Sequence, residues 1–168
     1  MTRENGMLCT HFPNATYWLH KDHWNWATHP NPREKASFLN ENIIPIQESG
    51  QLKFIEGNQY NFAPGIELIT ANGHTEKQIL PIIEVKGKKV AFMGDLIPSS
   101  GHIPVPYVMG YDVRPLVAME EKAKFLKRAA EEDYFLFFEH DPVVECCSLE
   151  QTEKGVRLKQ AFPLKEIF

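Results

Sequence analysis

Three segments of the sequence each place a metal-binding side chain shortly after an apolar run. They are His74 after residues 68–71, Asp95 after residues 90–93 and His140 after residues 135–138. Neutral imidazoles and carboxylates are donors that zinc and similar divalent ions accept, and one carboxylate can bridge two ions. Strand ends along one edge of a sheet are where α/β proteins assemble their sites. The pattern therefore favours a metal site built from three strand ends.

Each of these short patterns also occurs without a metal. A histidine after a strand can be hydrogen-bonded in place, and an aspartate after glycine can close a turn. The better evidence for a metal is that the three side chains follow successive strands in order. A glycine also precedes both His74 and Asp95. Glycine lets the backbone approach an ion closely.

The elements that must position these side chains can be predicted from hydrophobic periodicity and turn residues. Pro115 opens a helix whose apolar residues recur at a 3.6-residue period. A second helix is expected over 32–43, with Asn31 as its N-cap and Pro45 as its stop, and a short helix near Trp24, with Asp22 as a capping candidate. Strands are expected at 15–19, 52–55, 66–71, 79–85, 88–93, 134–138, 143–149 and 155–162, with a hairpin turn at 86–87.

Composition excludes several classes of protein. The 168 residues are 43% hydrophobic and 24% charged, which excludes a disordered chain and favours a single domain over 1–168. A net charge of −4 argues against a nucleic-acid partner, and no apolar run is long enough to span a membrane. The three cysteines, Cys9 and the pair Cys146-Cys147, are an odd number and are expected to be free, as in the cytoplasm.

From about Phe12 to its C-terminus the chain resembles the metallo-β-lactamase superfamily of metal-dependent hydrolases, in particular its lactonase and organophosphate-ester hydrolase branches. The resemblance implies an α+β fold, the αβ/βα sandwich, of which this chain supplies mainly the second mixed sheet and its outer helices. It implies that His74 binds a first metal, His140 a second, and that Asp95 bridges them. It further implies zinc, or iron or manganese, and hydrolysis of a small-molecule substrate by a metal-activated water.

The chain departs from the family in one respect: the His-x-His-x-Asp-His motif, which supplies the other metal ligands, does not occur in it. We therefore expect a C-terminal portion of a larger hydrolase that binds metal weakly and is inactive alone. Its inner sheet face would be covered by a missing N-terminal segment or by a second copy in a homodimer. The alternative is a non-catalytic binding or assembly module derived from the same fold.

Two further groups of residues invite interpretation. The proline-rich loop 99–107 follows Asp95, and loops so placed often select the substrate, which makes His102 and Tyr107 candidates for substrate contact. Loop packing is the alternative for both.

Cys146 and Cys147 are expected to be buried as small apolar side chains rather than to act in redox chemistry.

Overall fold

The computed structural model describes residues 1–4 and 7–168 of the chain. Backbone contacts divide these residues into two compact units, Met1–Gly57 and Asn58–Phe168. A single domain over 1–168 stays a prediction. No helix among the described residues has the length and apolar composition needed to cross a membrane.

The first unit contains two short sheets and two helices. Strands β1 (Thr2–Glu4) and β2 (Met7–Cys9) pair antiparallel, whereas β3 (Tyr17–His20) and β4 (Leu52–Ile55) pair parallel. Helix α1 spans Lys21–Thr28 and helix α2 spans Asn40–Glu48. The N-cap of α1 is His20, whose Nδ1 accepts a hydrogen bond from the Asp22 amide at 3.1 Å. The prediction that Asp22 caps this helix was therefore wrong.

The helix expected over 32–43 was also wrong. Residues 32–37 form turns, in which the Asn31 side-chain oxygen accepts from the Arg33 and Glu34 amides at 2.9 and 3.1 Å. This local bonding replaces continued helical bonding. Helix α2 begins instead at Asn40 and continues past Pro45, which lies inside it.

The second unit is built on a seven-stranded mixed sheet in which the spatial order of the strands follows the sequence. All neighbours pair antiparallel except β8 and β9, which pair parallel and are joined through helix α3 (Pro115–Glu131). The strands are β5 (Gln59–Ala63), β6 (Ile66–Ala71), β7 (Gln78–Val85), β8 (Lys88–Phe92), β9 (Phe135–Phe137), β10 (Cys146–Thr152) and β11 (Gly155–Phe162). Short 3-10 turns lie at Ser100–His102 and Leu164–Glu166.

The two faces of this sheet differ in what packs against them. Helix α3 covers one face of the sheet. Its buried Phe125, Leu126 and Ala129 belong to the same core cluster as the buried side chains of that face. On the other face Phe92 stacks on Phe137 with ring centroids 5.8 Å apart, and a smaller cluster forms beside residues 164–167. Several large apolar side chains of this second face remain exposed: Ile83, Val85 and Phe168.

The adjacent cysteines lie in different core clusters, as alternation along a strand requires. Both are fully buried, and burial raises the pKa of Cys146 to about 11 and that of Cys147 to about 12. The thiolate, which is the reactive form, is therefore disfavoured. The strand expected over 143–149 begins only at Cys146.

Candidate metal centre

The structure brings His74, Asp95 and His140 together at one edge of the seven-stranded sheet. Nε2 of His74 lies 3.5 Å from Oδ2 of Asp95, and Nε2 of His140 lies 3.2 Å from Oδ1 of the same carboxylate. Asp95 thus stands between the two imidazoles and turns one oxygen toward each. The donors come from the segments that follow β6, β8 and β9, as expected for strand ends along one edge.

Asp95 is positioned by a tight turn directly after β8. Gly94 has a φ of +45°, a conformation that glycine adopts without strain, and it turns the chain so that Gln78 donates through Nε2 to Asp95 Oδ2 at 3.2 Å. A Cβ at Gly94 would lie 3.1 Å from that same Nε2. The other amide atom, Gln78 Oε1, is buried and has no hydrogen-bond partner among the described residues.

His74 is held on its opposite ring nitrogen. Its Nδ1 lies 2.9 Å from Oδ1 of Asp112, and its backbone carbonyl accepts from the Val113 amide at 3.1 Å. The ring of Tyr111 meets the imidazole edge-on, with centroids 5.8 Å apart. Nothing in the sequence pattern had identified Asp112, which lies 38 residues after His74.

His140 occupies a more open position, with 54% of its side chain exposed. Its amide donates to the Pro98 carbonyl at 3.1 Å, and Asp141 accepts from the Ser100 amide and hydroxyl at 2.9 and 2.6 Å. Burial opposes ionisation of Asp141, but these bonds and two from following backbone amides prevail and hold its pKa well below the usual range. The turn that presents His140 is therefore anchored by a neighbouring carboxylate.

Glu139 adds a fourth donor that the sequence analysis did not propose. Single donor atoms of Glu139, Asp95 and His140 all lie within 4.8 Å of one another. Its position directly before His140 was the available signal. Glu139 is exposed, so it lies on the solvent side of this group.

The loop after Asp95 carries the two side chains predicted to touch substrate. His102 hydrogen-bonds through Nδ1 to the Ser99 hydroxyl at 2.7 Å, whereas Tyr107 is exposed. The ammonium of Lys122 on α3 donates to the carbonyls of residues 102, 104 and 107, and burial lowers its pKa to about 8. Helix α3 therefore fixes the backbone of this loop, while substrate contact by His102 and Tyr107 stays a prediction.

The donor set fits a divalent metal. Ligands about 2.0–2.1 Å from a tetrahedral zinc ion lie roughly 3.3 Å from one another. The two imidazole–carboxylate separations of 3.5 and 3.2 Å are close to that value. One carboxylate between two imidazoles is also the arrangement that could serve two neighbouring ions.

Known proteins similar to this chain were found by structure and not by sequence. No protein-family model and no curated protein matches the sequence. Solved structures do match: a probable metal-dependent hydrolase from Staphylococcus aureus has a TM-score of 0.76 at 24% identity over 90% of this chain. The hydrolase AbOPH in the β-lactamase superfamily has a TM-score of 0.71 at 21% identity over 91% of this chain. AidC, a dizinc quorum-quenching lactonase, has a TM-score of 0.66 at 25% identity over 90% of this chain.

The chain spans only about half the length of each of these structures: 55%, 56% and 56%, in the same order. At such identities the likeness establishes the fold and leaves the chemistry to be argued from the residues. The mixed sheet with α3 against it corresponds to that shared fold, and the expected α+β class is confirmed.

Proposed function

We propose that this chain, which has the fold of the metal-dependent hydrolases of the β-lactamase superfamily, contributes His74, Asp95 and His140 to a hydrolase site. The observation that carries the proposal is the placement of Asp95 between the two imidazoles, 3.5 and 3.2 Å away. Residues 74, 95 and 140 are far apart in sequence, so their meeting is a property of the fold rather than of a local turn.

The residues have separate tasks in this proposal. His74 and His140 would each hold one metal, and the Asp95 carboxylate between them would be shared by both. A bound divalent ion, zinc first and iron or manganese as alternatives, supplies a water of lowered pKa and polarises the substrate's oxygen. Gln78 orients the bridging carboxylate, and Glu139 offers a further carboxylate at the exposed side.

The substrate class we propose is a lactone, an ester or a phosphotriester, each of which is cleaved by attack of water at a polarised carbonyl or phosphoryl group. A dizinc lactonase among the similar structures supports the first of these. His102 and Tyr107 are proposed to contact the substrate, because their loop directly follows Asp95 and is fixed to α3 through Lys122.

Metal titration of the purified 168-residue chain tests the ligand set. We expect zinc to bind, and we expect Asp95→Asn to weaken binding more than His74→Ala or His140→Ala, because Asp95 is shared. Glu131→Gln, on the exposed face of α3, is the matched control. Equal zinc affinity in wild type and Asp95→Asn would contradict the proposed site.

Hydrolysis is tested separately on lactone, ester and phosphotriester substrates, using the chain and any longer product of its gene. Turnover that requires metal and is lost in Asp95→Asn supports the hydrolase. Metal binding with no turnover in any product favours the alternative, a binding or assembly module that keeps the metal site.

A further inference from the structure

We infer that Asp112 is the positioning residue for His74, fixing the imidazole as the tautomer with its proton on Nδ1 and so leaving the unprotonated Nε2, which faces Asp95, available to hold a metal. The inference deepens the proposed function and rests on it. It concerns a residue outside the ligand set, which acts through His74 rather than on the substrate.

The contact itself sets the tautomer. Oδ1 of Asp112 lies 2.9 Å from Nδ1 of His74, and only 3% of the Asp112 side chain is exposed. The second oxygen of Asp112 already accepts from the Met109 amide at 3.1 Å. An ionised carboxylate only accepts hydrogen bonds, so the nitrogen that faces it must carry the proton. In a neutral imidazole the other nitrogen, Nε2, is then the one that can bind a metal.

The backbone holds the two side chains in register. The Val113 amide donates to the His74 carbonyl at 3.1 Å, and the Arg114 amide donates to the Gly73 carbonyl at 2.8 Å. The Arg114 guanidinium adds a bond to the Asn72 carbonyl at 2.6 Å. Segments 72–74 and 112–114 are thereby joined at three points, so the approach of Asp112 to His74 is built into the fold.

A basic side chain, Lys122, lies near the buried Asp112. The ammonium of Lys122 is buried and lies within electrostatic range of Asp112, whose attraction partly opposes the effect of burial on that lysine. The positive charge of Lys122 therefore lies near the carboxylate that is hydrogen-bonded to His74.

Histidines that bind metals generally donate their other ring N–H to a carboxylate, carbonyl or water, and loss of that partner lowers metal affinity by about 10–100-fold. We expect an effect of this size for Asp112→Ala. Asp112→Asn keeps an oxygen that can accept from Nδ1–H but removes the charge, so its loss of affinity should be smaller.

The first test is made on the metal-free chain. Long-range nitrogen–proton NMR correlation at pH 8, with a chelator present, distinguishes the two imidazole tautomers. We expect the Nδ1–H form for His74 in wild type and a shift toward the Nε2–H form in Asp112→Ala. An Nε2–H tautomer in wild type would overturn the inference, and this reading does not require that the chain bind metal.

The second test is zinc affinity of wild type, Asp112→Ala, Asp112→Asn and the control Glu131→Gln, with folding checked by circular dichroism. The expected order of affinity is wild type, then Asp112→Asn, then Asp112→Ala, with the control equal to wild type. Folded Asp112→Ala with wild-type affinity would overturn the inference. If wild type binds no zinc, the proposed function fails while the tautomer test still decides the role of Asp112.

If Asp112→Ala does not fold, the zinc affinity of Asp112→Asn and the tautomer of wild type decide the question instead.

Discussion

The backbone amide of Gly73 donates to a carboxylate oxygen of Glu121 at 2.9 Å. The same carboxylate accepts from the backbone and side-chain amides of Asn72, also at 2.9 Å. Helix α3 therefore holds the loop directly before His74, and it does so at close range. A Cβ on residue 73 would lie 2.3 Å from backbone atoms of Ala118, so only glycine allows the helix to approach this far.

Gly73→Ala should consequently destabilise the fold and displace His74. Forcing an extra carbon into packed surroundings costs roughly 1–3 kcal/mol, and here the neighbour is backbone, which yields less readily than a side chain. Urea unfolding and zinc titration measure the two effects. Gly101→Ala is the matched control, because its Cβ would meet nothing closer than the Ser99 hydroxyl at 3.7 Å. Similar losses in both variants would argue against a close-packing role for Gly73.

Lys122→Met should loosen the loop that follows Asp95. Methionine keeps the apolar stem but removes the donor shared by the carbonyls of residues 102, 104 and 107. Leaving buried polar groups without partners costs about 1–3 kcal/mol each, so we expect a loss of stability and faster amide hydrogen exchange across 102–112. Lys124→Met, at an exposed position of the same helix, should change neither. Unchanged amide exchange rates in Lys122→Met would show that the loop keeps its conformation without the lysine.

Glu132 should give the stability of the second unit a dependence on acid pH. Hydrogen bonds from Lys89, Arg128 and Tyr134 lower the pKa of Glu132 from 4.5 to about 2 in the folded chain. A folded-state pKa below the unfolded one contributes stability that is present above about pH 4.5 and is lost as the pH falls toward 2.

Unfolding of wild type and Glu132→Gln by urea at pH 7, 5 and 3 measures this contribution. The difference in free energy of unfolding should be largest at pH 7 and should shrink at pH 3. Because Glu132 is 37% exposed, solvent screening limits the difference to about 1 kcal/mol. A difference that stays constant from pH 7 to pH 3 would mean that the charge of Glu132 is not involved.

The second sheet face should make the isolated chain self-associate. Ile83 and Val85 are 40% and 37% exposed beside the stacked rings of Phe92 and Phe137, and Phe168 is 47% exposed. Contiguous apolar surface of this kind is commonly covered by a partner, and in a purified chain the available partner is a second copy. Light scattering after size exclusion should give a dimer, and Val85→Glu should give a monomer. Leu116→Glu, at an exposed apolar position on α3, should leave the dimer intact; a monomeric wild type would refute the idea.

Strong local patterns made much of the second unit predictable. The strand expected over 66–71 has the same bounds as β6, and the helix expected to begin at Pro115 does so. The hairpin turn at Lys86 and Gly87 also matches, since both residues have positive φ. In the first unit, Asn31 and Pro45 gave equally clear local signals that were misleading, because side-chain bonding within a turn satisfied Asn31 without a helix.

The three candidate donors could be proposed from the sequence, but the residues that hold them in place could not. His74, Asp95 and His140 each follow an apolar run, which is a local feature of the sequence. Asp112 and Gln78 have no such mark, because their roles depend on which segments the tertiary fold brings together. A carboxylate 38 residues from its imidazole can be identified only once the loop between β8 and α3 has been placed.

The parallel pairing of β8 with β9 has a consequence for the order in which the site is assembled. Parallel neighbours need a crossover connection, which residues 93–134, including α3, supply here. Asp95 precedes this crossover and His140 follows it. Because β8 and β9 must pair before the two side chains can meet, an ion held between Asp95 and His140 would report that this long-range pairing has formed.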